Sequence, residues 1–305
     1  MSAILPSWRD GPARNAVLNL VAMTTDPSSA RFIAPEDRIA VFGHDGTLWC
    51  ETPTTVQTLF ARESLERLAD SAPSLRDREP FLTLLDRDAA AAHRLGRRAV
   101  FEATTLIDAG LSLAEFERRV EDWLAETPNP QLIRHCADLA YQPQRELLQF
   151  LGESGFHCWI VSAGGADFIR VFCERLYGIP PERVIGSSCA MEQRFDGQDG
   201  SSLVKLPIVR LFNDGEAKVE AIADHIGRRP VLAFGSSDSD LPMLRYALGG
   251  PSPGLALMLH HDDALREAIY DRENQLSPLV EGLDQAGRLG LTLVSMARDW
   301  RTIFA

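Results

Sequence analysis

A chain of 305 residues with 45% hydrophobic side chains is long enough for one large domain or two ordinary ones, and it buries a sizeable core, which excludes disorder throughout. Its 43 acidic residues against 31 basic ones leave a formal charge of -12, the wrong sign for binding a nucleic-acid backbone or an anionic membrane surface. Five scattered cysteines (Cys50, Cys136, Cys158, Cys173, Cys189), none spaced as CxxC, disfavour a disulfide framework or a structural zinc site and fit a reducing cytoplasm.

Residues 1–30 show no basic segment followed by an apolar one, and no apolar run approaches the roughly 18 residues of a membrane span, so a soluble, unexported protein is expected. Val17, Leu18, Leu20 and Val21 fall on a helical period within 12–24, ended by Asp26-Pro27. Ile39-Ala40-Val41-Phe42 then runs into Gly43-His44-Asp45-Gly46-Thr47, the pattern of a buried parallel strand stopping at a polar loop. From about 54 to 141 helical periods dominate, as in Val56, Leu59 and Phe60 or Phe116, Val120 and Trp123, and prolines punctuate them. Within this stretch Arg94, Arg97 and Arg98 read as a solvated helix face.

Pro143 opens a helix through Leu151, and Phe156–Val161 forms a second apolar strand that delivers Ser162-Ala163-Gly164-Gly165. A helix carrying Phe168, Val171, Phe172 and Leu176 follows, then a short strand at 184–188 and a polar hairpin or loop at 193–202. Lys218 precedes a helix bearing Val219, Ile222 and Ile226. Val231–Phe234 is the next buried strand, ending at Gly235-Ser236-Ser237-Asp238-Ser239-Asp240. Leu255–Leu259 is a further strand, and 263–271 reads as a helix. Alternating apolar strands, polar loops and helices imply an α/β fold, a Rossmann-like parallel sheet covered by helices on both faces, with a mainly helical cap inserted after the first strand. The expected domains are an N-terminal helical arm at 1–35, a core formed by 36–52 with 143–305, and a helical cap at 53–142.

Ligands of such sheets gather at the carboxyl ends of strands. Four loops there bring groups suited to a phosphate: Asp45 as a proton donor and acceptor beside the permissive Gly46, Ser162 as a hydrogen-bond donor, Lys218 as a cation, and Asp238 with Asp240 as hard oxygen donors for Mg²⁺. In this order they resemble the haloacid dehalogenase (HAD) superfamily, whose first motif is an apolar strand followed by Asp-x-Asp-Gly-Thr-Leu. The similarity to its phosphoserine-phosphatase-like hydrolases runs over nearly the full length, including Ser7-Trp8, Asp45 to Glu51, Ile160 to Gly165, Tyr177 to Glu182, Tyr270-Asp271-Arg272 and Asp299-Trp300.

That resemblance implies a Mg²⁺-dependent phosphomonoesterase acting on a small phosphorylated molecule. By motif matching, Asp45 is its acid and base and Ser162 and Lys218 complete the catalytic set. Gly46, Thr47, Ser162, Ala163 and Lys218 bind phosphate, and Asp45, Ser236, Asp238 and Asp240 surround the metal. Three positions depart from the pattern: Gly43 and His44 replace Asp-Asn, Ala163 replaces a glycine, and Ser236 stands where the family has Asp or Asn. Gly43 neither attacks phosphorus nor binds metal, so impaired or absent turnover and weakened Mg²⁺ binding are expected. The alternatives are a non-catalytic phosphate- or metabolite-binding protein, a hydrolase in which Asp45 activates water, and a glycine introduced into an ordinary phosphatase. His44, adjacent in an extended segment, is expected to face away from the site. His260-His261-Asp262-Asp263 reads as a strand end and helix cap rather than a metal site. Neither the substrate, nor protein partners, nor the oligomeric state is encoded in a motif of the 54–141 stretch.

Overall fold

The computed structural model describes residues 4–86, 89–130, 132, 134–195, 200–274 and 276–305. Helix α1 (Pro12–Thr25) precedes strand β1 (Ile39–Phe42), after which come α2 (Val56–Ser71), α3 (Phe81–Asp86), α4 (Ala89–Ile107) and α5 (Leu113–Glu126). The chain returns through α6 (Gln142–Glu153), β2 (His157–Gly165), α7 (Ala166–Arg170) and α8 (Cys173–Tyr177) to the hairpin β3 (Val184–Phe195) and β4 (Ser201–Leu211). It ends with α9 (Ala217–Ile226), β5 (Leu232–Gly235), α10 (Leu241–Leu248), β6 (Leu255–His260), α11 (Glu281–Leu289), β7 (Thr292–Ser295) and α12 (Met296–Asp299). No helix among the described residues is long and apolar enough to cross a membrane.

The seven strands lie in the order β4-β3-β2-β1-β5-β6-β7, parallel except for β4. Strand β1 sits at the centre, fully buried, with alternate side chains serving opposite faces: Ala40 and Phe42 join one core layer, Ile39 and Val41 the other. The first layer packs α1, α6, α7 and α8, and the second packs α9, α10 and α11. This is the Rossmann-like α/β fold. The chain leaves β1 toward β2 on one side and β5 on the other, so the crevice beyond β1 is a topological switch point.

Two expectations are corrected. Residues 263–271 form no helix: Asp263 Oδ1 accepts the N–H groups of Leu265 and Arg266 at 3.2 and 3.1 Å, which closes a single turn, and Asp271 takes a left-handed φ of 67°. The helix expected across 168–176 is two short ones, α7 and α8, interrupted at Val171 and Phe172. The polar stretch at 193–202 is the tip of the β3–β4 hairpin, with 196–199 outside the described residues.

The inserted helices have a small core of their own, with Leu65, Leu84, Ala103 and Ile107 at its centre. Lys205 on β4 ties them to the sheet. Its ammonium, 4% exposed, pairs with Asp167 of α7, lies 3.7 Å from Asp108 just beyond α4, and sits 3.5 Å from the centre of the Phe116 ring of α5. Burial pushes the Asp108 carboxyl up to about 6 against the pull of Lys205. Lys205→Met leaves two carboxyls buried without their cation and is expected to lower stability by about 3 kcal/mol. Urea unfolding of the two proteins at neutral pH checks this, and an unchanged midpoint would contradict it.

Candidate functional site

Beyond the carboxyl ends of β1, β2 and β5 lies a cavity holding about 760 Å³ of free space, part of it open to solvent. The core contributes Gly43, Asp45, Ser162, Ala163, Lys218 and Asp240, and the insertion contributes Gln57, Arg97 and Phe101. Four loops distant in sequence therefore meet at one place.

Asp240 is the anchor. It is 3% exposed, and its Oδ1 accepts from Lys218 Nζ at 2.5 Å while Oδ2 accepts the N–H groups of Ser236 and Ser237 at 2.9 and 3.2 Å. Burial alone raises its pKa, but the Lys218 charge and these N–H donors outweigh burial and hold the carboxyl below its ordinary value. Gly235 is required beneath it, since a Cβ there would lie 2.4 Å from that of Asp240.

Asp45 faces the cavity with its Oδ1 accepting from the Trp49 indole at 2.9 Å. Burial again acts upward and is outweighed by His44, 3.6 Å away, by the indole and by Arg97, so Asp45 is an anion at neutral pH. His44 is 2% exposed and enclosed by the rings of Trp49, Phe172 and Tyr177, with its Nε2 3.3 Å from the Tyr177 hydroxyl. His44 borders the cavity beside Asp45, with its imidazole packed among these rings. Gly43 presents no side chain to the cavity. A Cβ there would meet Thr47 Oγ1 at 2.6 Å, because that hydroxyl donates to Ser236 Oγ at 2.9 Å across the front of residue 43.

Ser162 Oγ accepts the Gly164 N–H at 2.9 Å, which leaves its proton for a ligand. Gln57, near the start of α2, accepts the Gly165 N–H at 2.8 Å and so seats the insertion directly on this loop. Gly46 (φ +70°) has no room for a side chain: a Cβ would lie 2.7 Å from Glu51 and 2.9 Å from Ser236. Its carbonyl accepts from His261 Nε2 at 2.9 Å, and His261 Nδ1 faces Asp271 at 3.1 Å, so both ring nitrogens donate. Burial lowers the His261 pKa, but Asp271 and the neighbouring carboxylates outweigh it and raise it overall.

Several assignments move. Asp238 is not at the cavity. Its carboxylate accepts the N–H groups of Val280, Glu281 and Gly282 at 2.9 Å each and caps α11. Thr47, Gly46 and Ser236 stand behind the cavity wall and shape it without lining it. Asp262 and Asp263 hold Ser295, Ala297 and Arg266, while His260 pairs with Asp271. Arg97 is no solvated residue. Gly96, at φ 79° and ψ 158°, breaks α4, and the next side chain enters the cavity, where its Nη1 donates to Ser239 at 2.8 Å and lies 3.1 Å from Asp214. Its neighbours Arg94 and Arg98 are exposed.

Glu51 is a second group that sequence reasoning passed over. It is 6% exposed, lines the cavity, and accepts from Asn274 at 3.1 Å. Burial, with Asp45 adding to it, pushes its carboxyl up to about 8 against His261 and Arg97. Its place inside the first-motif loop was the available signal.

The donors do not fit Mg²⁺, which needs near-octahedral oxygen ligands. Asp240 already accepts from Lys218, two N–H groups and the Ser237 hydroxyl, the Ser236 hydroxyl is held between Thr47 and the Asp45 carbonyl, and Asp238 is committed to α11. Among the described residues no three His, Cys, Asp or Glu side chains gather as a metal site.

A model of the haloacid dehalogenase-like hydrolases matches residues 40–245, two thirds of the chain. The chain belongs to the HAD family. Among solved structures it is similar to a conserved functionally unknown protein from Anaerococcus prevotii DSM 20548, at 15% identity and a TM-score of 0.56, covering 93% of this chain and 91% of that one. It is also similar to a protein of unknown function from Bordetella pertussis Tohama I, at 17% identity and a TM-score of 0.52, covering 84% and 97%. A phosphoserine phosphohydrolase-like protein from Francisella tularensis subsp. tularensis SCHU S4 shares 16% identity at a TM-score of 0.43, covering 83% and 99%. At these identities the first two likenesses concern the fold alone. No curated protein matches the chain.

The Glu51 carboxyl makes stability depend on pH. Its folded pKa of about 8 lies above the ordinary 4.5, so the folded state holds the proton longer, and its contribution is full below pH 4.5 and lost as pH rises to 8. Relative to Glu51→Gln, the protein as it stands should lose up to about 1.4 kcal/mol per pH unit across that window. Guanidinium unfolding of both proteins from pH 5 to 9 measures the difference, and parallel curves would show that Glu51 is ionised throughout.

Proposed function

We propose that this HAD hydrolase is of the phosphomonoester phosphatase type, and that it binds a small phosphorylated molecule in the cavity with turnover impaired or lost. The observation that carries the reading is the convergence of Asp45, Ser162, Lys218 and Asp240 around a position, Gly43, that has no nucleophile. In the mechanism of the family it resembles, a carboxylate at residue 43 attacks phosphorus. Here that attack has no electron pair behind it, and the His44 imidazole is packed among aromatic rings.

What remains is suited to holding the ester. Lys218 and Arg97 supply positive charge, Ser162 donates a hydrogen bond, and Asp45 is placed to give or take a proton at a bridging or water oxygen. The insertion, residues 53–142, acts as the cap over a core made of 36–52 and 143–305, with 1–35 as an arm packed on the core. A cleft of about 1800 Å³ of free space, open solvent included, adjoins the cavity through Glu51, Thr55, Leu276 and Ser277 and gives the organic part of an ester room. The five buried, unpaired cysteines fit a reducing compartment, and the cytoplasm is the proposed location.

Direct attack by a water activated at Asp45 is the second reading, favoured by the anionic state of that carboxylate. Both are tested by hydrolysis of p-nitrophenyl phosphate in excess Mg²⁺. Gly43→Asp alone forces the Thr47 hydroxyl to rotate and still leaves Ser236 as a poor donor, so the informative variant carries Gly43→Asp with Ser236→Asp. The double variant should turn over faster than the unmodified protein by on the order of 10⁴-fold or more. Comparable rates in both, abolished by Asp45→Asn, would favour the water mechanism instead.

A further inference from the structure

The mismatch with Mg²⁺ is specific rather than a general decay of the site. In the pattern the chain resembles, a carboxylate stands at 43 and Asp or Asn at 236, and these are the positions now held by Gly43 and Ser236. The groups that meet a phosphate by charge or hydrogen bonding, Lys218 and Ser162, remain buried and ordered. Losing a divalent cation together with two of the oxygen donors that would face it leaves the charge facing a ligand nearly unchanged.

A cation has also arrived from the insertion. Arg97 is delivered past the break at Gly96 and anchored through Nη1 to Ser239 and Asp214 on the core. Among the described residues its Nε and Nη2 have no partner, which leaves the guanidinium fork for an anion. It lines the same cavity as Asp45, Glu51 and Asp240, and its charge is felt by all three. We infer that the cavity binds a phosphate dianion or phosphomonoester without a divalent cation, with Arg97 taking the charge-balancing part and its attachment to Ser239 and Asp214 closing the insertion over the ligand.

This rests on the phosphate-binding reading above, and calorimetric titration of the full chain with inorganic phosphate separates the two. Run in EDTA and again in excess MgCl₂, the titrations should give the same affinity, and MgCl₂ titrated alone should give no binding heat. Arg97→Ala should weaken phosphate by about tenfold, and Arg97→Lys, which keeps the charge but loses the fork, by less. Thermal unfolding of each variant shows whether it folds, and the EDTA comparison on the unmodified protein needs no variant at all. Phosphate binding that requires Mg²⁺, or an Arg97→Ala affinity equal to that of the unmodified protein, overturns the inference and leaves the cavity a phosphate site. No binding of phosphate under either condition overturns both.

Discussion

Lys218 and Asp240 face each other across 2.5 Å, each almost wholly removed from water, and the site is arranged around that pair. Two charges in so dry a place are tolerable only when they are paired and further hydrogen-bonded, and here the second oxygen of Asp240 takes two backbone N–H groups from the loop after β5. The pair therefore fixes the path of that loop, joins it to the start of α9, and requires Gly235 below. It also spends Asp240. A carboxylate engaged by an ammonium, two amides and a hydroxyl has little left to offer a metal.

A second set of contacts steadies the opposite wall. His261 reaches from Asp271 to the Gly46 carbonyl, Thr47 and Ser236 join hydroxyls, and the Trp49 indole holds Asp45. The loop after β1 is thus held by Ser236, by His261 and by its own Trp49, although residue 43 within it is a glycine. Gln57 and Arg97 then bind the inserted helices to the core at two points of the same cavity. Rigid support and two cations beside a position without a nucleophile are what the proposed retention of an anion asks of a site.

Much of this was legible in the residues. Four buried apolar strands ending in polar loops are a strong pattern, because a parallel strand covered on both faces admits little else, and the order of Asp45, Ser162, Lys218 and Asp240 along the chain placed them at one sheet edge. Other parts were not legible, for physical reasons. Asp238 has the same local pattern whether it binds a metal or caps a helix, and only the position of α11, far along the chain, decides. Arg97 sits on a helical period with two exposed arginines, and the break at Gly96 that turns it inward is a backbone event invisible to periodicity. The run at 263–271 carries helix-forming residues, yet Asp263 closes a single turn through the N–H groups of Leu265 and Arg266 and Glu267 accepts from the Tyr141 hydroxyl of a distant segment, a tertiary contact that a local pattern does not show.

In the proposed reading the cavity holds a phosphorylated molecule without forming a bond to phosphorus. The most direct test of that reading is a single-turnover experiment, with the protein in excess over a radiolabelled phosphomonoester, quenched in acid and read for both released phosphate and protein-bound label. The expected result is retention of intact ester, with neither product nor label on the protein. A stoichiometric burst of phosphate would contradict it by showing turnover, and label carried by the protein would show further that another side chain has taken the place of the missing carboxylate.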